Sequence, residues 1–98
     1  MNLQTISEKI AEYFKTQPIL KAWIFGSFAR GEETPLSDID ILVLYEKGGV
    51  SLFKHAAIIC DLERILDRSI DLVQEKLLKP ELRESVNHDK MLIYERAS

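Results

Sequence analysis

Cys60 is the one cysteine in 98 residues, which excludes an internal disulfide and suits a reducing compartment. Long apolar runs are missing too. The longest, "ILVLY" and "AAIIC", fall far short of the ~18 residues a membrane span needs. The opening "MNLQTISEKIAEYF" lacks the basic start and apolar stretch of an export signal, so a cytoplasmic protein is expected. An excess of positive charge is absent as well. The net charge of -3 and pI near 5.4 weigh against direct nucleic-acid binding by bulk electrostatics. A small phosphate ligand stays compatible with that balance, because a metal ion can mediate the contact. Repeats, linkers and low-complexity segments are all lacking.

What is present is an ordinary globular balance, 46% hydrophobic and 30% charged. That length accommodates one small domain, residues 1–98, built on one sheet with a few helices. Any enzyme of this size is minimal.

Leu3, Ile6, Ile10, Tyr13 and Phe14 recur at helical spacing over residues 3–16, and Pro18 closes that helix. "KAWIF", 21–25, reads as a first strand, with Trp23 and Phe25 expected on alternate faces. Gly26-Ser27 starts a helical turn that Gly31 ends, and "ETPLS" is a loop. "DIDILVLYE" resumes as a strand whose faces both become apolar after Asp40, implying burial on both sides. Residues 51–67 set Leu52, Ala56, Ile59, Leu62 and Leu66 along one helical stripe, with Cys60 expected in the core. "SIDLVQ", 69–74, is a third strand, and Pro80 suits the first turn of a short helix carrying Leu82 and Val86. "KMLIYE", 90–95, fits either a last strand or a packed tail. The alternation predicts an α/β (α+β) domain, a small sheet covered by helices.

The chemistry concentrates in "FGSFARGEETPLSDIDILV", residues 25–43. Asp38 and Asp40 are two apart in a strand, so they project from one face, their Cα atoms ~6.6 Å apart. Such carboxylates can converge on one or two cations, and hard oxygen ligands favour Mg2+ over zinc. Asp71 interrupts another apolar run, where an unpartnered ionised carboxylate would be unfavourable. If their strands are neighbours, all three aspartates can share the metals. Gly26 lets a ligand approach the backbone, and the N–H groups of the turn that follows can receive phosphate. Ser27 adds a hydroxyl there, and Arg30 a cation for phosphate oxygens. Each also has a plainer reading: Asp38 and Asp40 as loop caps, Asp71 as an edge-strand carboxylate, Ser27 as a helix cap, Arg30 as a surface cation. Ser37 shapes the turn before Asp38. His55 and His88 have no partner at metal-ligand spacing and read as structural or surface residues. Tyr45 and Tyr94 fit core rim or partner surface equally, and Glu32 and Glu33 read as a solvated loop.

The order Gly-Ser, Arg-Gly, Ser-Asp-x-Asp resembles the signature of the nucleotidyltransferase superfamily, and the compact chain is similar to its minimal group, the MNT proteins. The resemblance implies a polymerase β-like palm fold, with Asp38, Asp40 and Asp71 as metal-holding catalytic residues. It implies that Gly26, Ser27, Arg30 and Ser37 bind the nucleotide, with ATP as substrate and two Mg2+ ions as cofactor. In the related mechanism an acceptor hydroxyl attacks the α-phosphate, pyrophosphate leaves, and Asp71 helps take the hydroxyl proton. MNT proteins commonly pair with a HEPN-domain toxin and act as its antitoxin by adding AMP to a tyrosine. Two other functions fit the residues: transfer to a small hydroxylated molecule such as an aminoglycoside, and neutralisation of a partner by contact alone. A homo-oligomer fits the sequence too.

Overall fold

A computed structural model describes residues 2–97. Helix α1 (Leu3–Phe14) starts where the Asn2 side chain accepts a hydrogen bond from the Thr5 N–H at 2.8 Å. Strand β1 (Ile19–Phe25) runs directly into α2 (Gly26–Arg30), which ends at Gly31 in the left-handed conformation, φ 73°. After a loop come β2 (Ile39–Tyr45), α3 (Leu52–Leu66) and β3 (Ile70–Gln74). A short 3-10 turn, Glu75–Leu77, leads to α4 (Pro80–Asp89) and β4 (Met91–Glu95).

The four strands form one mixed sheet in the order β3-β2-β1-β4. β1 pairs antiparallel with both β2 and β4, whereas β2 and β3 run parallel across the α3 crossover. The 90–95 segment is therefore a strand. Its edge position explains why its pattern is ambiguous, since Met91 and Leu92 remain about half exposed.

Ala22, Ile24, Ile39, Ile41 and Val43 pack against Ile6, Ile10 and Phe14 of α1 and Ile58, Leu62 and Leu66 of α3. The opposite face holds a smaller cluster of Leu42, Leu78 and Val86, joined by Trp23, Phe25 and Val73. Trp23 and Phe25 thus share a face, as a two-residue strand period requires. Their expected alternation is corrected.

The α3 stripe is also rotated from its expected course. Ile58, Leu62 and Leu66 are fully or almost fully buried, whereas Leu52 is 85% exposed and Ala56 is exposed too. Core contact begins only at the second turn, so residues at the helix start have nothing to pack on. Cys60, two positions and about 200° on from Ile58, is exposed rather than core. His55 has the structural role expected of it. Its Nε2 lies 3.1 Å from the Leu72 carbonyl and its Nδ1 2.8 Å from the Tyr45 hydroxyl. With Nε2–H donating to the carbonyl, Nδ1 accepts from Tyr45, which is buried in the core. His88 is a surface residue.

The rotated stripe has a direct check in unfolding free energies. Leu62→Ala should cost about 2–5 kcal/mol, and Leu52→Ala no more than about 0.5 kcal/mol. Equal losses measured by denaturant titration would contradict this packing.

Candidate active site

Asp40 lies level with Phe25 of β1 on one side and with Asp71 of β3 on the other. Strand parity puts Asp40 and Asp71 on the same face as Leu42 and Val73, the face toward α4. Asp38 has the same parity but precedes the first ladder residue, Ile39. Asp40 is half-buried, and Asp38 and Asp71 are exposed. Burial, then the negative charges of Asp71 and Asp38, push the Asp40 carboxyl up from its ordinary 3.8 to about 6. A hydrogen bond with Asp71 adds to the rise, and the positive Arg30 opposes it.

As the side chains stand, no three His, Cys, Asp or Glu groups among the described residues close into a metal cage. Asp38, Asp40 and Asp71 instead form an open acidic edge. Their donors are all hard carboxylate oxygens, and a divalent cation would relieve the repulsion that Asp40 feels. That chemistry fits Mg2+.

Gly26 stands at φ +72°, and a Cβ there would come within 2.1 Å of an Asp40 carboxylate oxygen. Only glycine tolerates both conditions. The side of Gly26 on which a Cβ would stand is thus taken by the Asp40 side chain. The first N–H groups of α2 have no side-chain cap, in contrast to α1 and to α3, which Ser51 caps. Ser27 is half-buried in that first turn. Arg30 is held in two ion pairs, with Glu32 at 2.7 Å and with Asp89 of α4 at 2.9 Å. Glu32 is therefore more than a solvated loop residue. The Arg30 contact holds the Asp89 carboxyl below its ordinary range. The Ser37 hydroxyl accepts from the Thr34 N–H at 2.8 Å, the turn-shaping role its position suggests.

A cleft of about 460 Å3 opens between this sheet face and α4. Phe25, Val73, Leu78 and Val86 give it apolar walls, and Lys79, Ser85 and Asp89 give it polar groups. Gly26, Arg30 and Asp71 line it as well, whereas Ser27, Ser37, Asp38 and Asp40 do not. Sequence reasoning missed Asp89, Lys79 and Ser85. Asp89 is 59 residues from Arg30, and no local spacing announces so distant a pair.

A mixed sheet of this order, helix-covered and bearing paired carboxylates beside a Gly-Ser turn, has the architecture of a nucleotidyltransferase palm. Residues 8–98 match the family model described as "Polymerase beta, Nucleotidyltransferase". The chain belongs to this polymerase β-type nucleotidyltransferase family and is a nucleotidyltransferase. It is 34% identical over 86 residues to a curated protein of Methanocaldococcus jannaschii, "Putative protein adenylyltransferase MJ0435", covering 88% of this chain and 91% of the relative. A solved structure described as "Structure of putative minimal nucleotidyltransferase" superposes with a TM-score of 0.79 at 35% identity. That match covers 93% of this chain and 95% of the other. The fold also recurs, with a TM-score of 0.72 and 21% identity, in a structure of a tri-AMPylated Shewanella oneidensis HEPN toxin in complex with MNT antitoxin. There 95% of this chain and 72% of the other are covered.

The raised Asp40 carboxyl has a consequence for stability. The folded chain binds that proton more tightly than the unfolded chain, so ionising Asp40 weakens the fold. The loss is absent well below 3.8, grows as the pH rises toward about 6, and is complete above that. In metal-free protein, Asp40→Asn should raise the thermal unfolding midpoint at about pH 8 and leave it nearly unchanged at about pH 3. A midpoint at about pH 8 equal to or below that of the wild type would contradict the assignment.

Proposed function

We propose that the chain transfers AMP from ATP, with Mg2+, to a hydroxyl of a partner protein, a tyrosine of a HEPN toxin, and so acts as its antitoxin. The observation that carries this reading is the register that sets Asp40 beside Asp71, at the edge of a cleft bordered by Gly26 and Arg30. The name of the Methanocaldococcus relative and the AMPylated toxin found beside the Shewanella MNT antitoxin support the acceptor class. Residues 1–98 act as one domain in this reading, and the partner protein brings the acceptor hydroxyl to the cleft. No helix among the described residues is long and apolar enough to cross a membrane.

Asp38, Asp40 and Asp71 would hold Mg2+, which when bound supplies charge neutralisation at the phosphates. The N–H groups of Gly26 and Ser27, with the Ser27 hydroxyl, would receive phosphate oxygens. Arg30 would release Glu32 or Asp89 to join them, and Ser37 would keep the turn before Asp38 in shape. The apolar cleft walls suit the nucleoside, and the polar groups suit its ribose and base edges. Asp71, exposed at the cleft, would accept the acceptor proton as the new P–O bond forms. The bond from the α-phosphorus to the bridging oxygen then breaks, and pyrophosphate leaves with the electron pair.

Incubating the chain with a HEPN partner, Mg2+ and each α-labelled nucleotide tests this. Labelling of the partner should be strongest with ATP, and should fall at least on the order of a hundredfold in Asp38→Asn/Asp40→Asn and in Asp71→Asn. Undiminished labelling by a folded double variant would refute the metal assignment. If the variants block the toxin as well as wild type does, contact alone neutralises it.

A further inference from the structure

Asp38 is the one candidate metal ligand that no strand ladder holds. The β2–β3 pairing begins at Ile39, and Asp38 follows a loop whose residues from Glu32 to Leu36 are all exposed. Something else must hold its backbone.

The loop closes on itself through a turn. The Ser37 N–H donates to the Thr34 carbonyl at 3.0 Å, and the Thr34 N–H to the Ser37 hydroxyl. Both carbonyls of that turn then meet one distant side chain. Arg68 Nη2 donates to the Thr34 carbonyl at 3.1 Å and to the Ser37 carbonyl at 2.6 Å. The Ser37 carbonyl belongs to the peptide unit that leads into Asp38, so this bond orients the backbone on which Asp38 hangs. The same guanidinium lies over the Phe28 ring, 5.0 Å from its centroid, and Phe28 is the buried residue of α2.

Arg68 is itself anchored. It follows Asp67, which ends α3 in the left-handed conformation, φ 52°. It precedes Ser69, whose carbonyl accepts from the Ile39 N–H at 2.9 Å. One side chain therefore joins the lead into β3, which carries Asp71, to the α2 helix and to the peptide before Asp38.

We propose that Arg68 is a positioning residue that sets Asp38 for metal binding. This rests on the metal role of Asp38 given above. The planar, always-charged guanidinium is needed because it donates to two carbonyls while stacking on a ring. A lysine ammonium has no plane to lie over the Phe28 ring while donating to both carbonyls. Side chains that orient ligands in this way change metal affinity by about tenfold to a hundredfold when replaced.

Mn2+ titration, followed by the electron paramagnetic resonance signal of the free ion, tests the proposal without any turnover. Arg68→Lys and Arg68→Ala should weaken Mn2+ binding by about tenfold or more. The metal-free Arg68→Lys protein should unfold within a few degrees of wild type. Unchanged Mn2+ affinity in a folded Arg68→Lys protein would overturn the proposal and leave Arg68 a purely structural link. Should Arg68→Ala fail to fold, the lysine variant decides alone. If wild type binds Mn2+ no better than Asp38→Asn/Asp40→Asn, the metal reading fails first and the positioning role falls with it.

Discussion

The parallel register between β2 and β3 sets two carboxylates side by side on neighbouring strands, Asp40 against Asp71. Like charges opposed in a ladder are destabilising, and here one of them is half-buried. What enforces the pairing is the rest of β2. Ile39, Ile41, Leu42 and Val43 are fully buried, the odd residues toward α1 and α3 and Leu42 toward α4. A slip of β3 by one residue would turn Ile70 and Leu72 out of the core and Asp71 into it. Hydrophobic alternation on both faces thus holds together charges that would otherwise move apart. The strain appears in the raised Asp40 carboxyl, and a cation is the species that would remove it.

Around that pair the remaining parts fall into place through neighbouring strands. β1 lies on the far side of Asp40, and it ends at Phe25, just before Gly26, the residue that must lack a Cβ for the Asp40 carboxylate to fit. The α2 turn follows at once, so its uncapped N–H groups start beside the carboxylates. On the other flank, β3 runs through the 3-10 turn into α4, which returns over the sheet and encloses the cleft beside Asp71. Arg30 and Asp89 tie α2 to α4 across its rim. Two short elements on either side of one carboxylate pair thereby bound a single cleft.

Much of this was legible in the residues. Strand order of appearance, the interruption at Gly26-Ser27 and the two-residue spacing of Asp38 and Asp40 are local patterns. The opposition of Asp71 to Asp40 needed only the condition that their strands adjoin, and they do. The start of α3 was not legible, because Leu52 and Ala56 are apolar at helical spacing and yet lie beyond the core. Nor was the edge strand β4, whose side chains are half solvated. The cleft and the Arg68 contacts depend on residues 31 to 59 positions apart in the chain. Separation of that size leaves no periodic trace, so only the folded arrangement exposes it.

The central claim is that Asp38, Asp40 and Asp71 together hold the metal that serves the nucleotide. A crystal structure grown with Mn2+ and a non-hydrolysable ATP analogue tests it most directly, since the ion is located by its own anomalous scattering. The account predicts anomalous density bound by carboxylate oxygens of Asp38 and Asp40, with Asp71 at the same cluster and phosphate oxygens completing the shell. Well-ordered nucleotide with Mn2+ on its phosphates and away from all three carboxylates would contradict it.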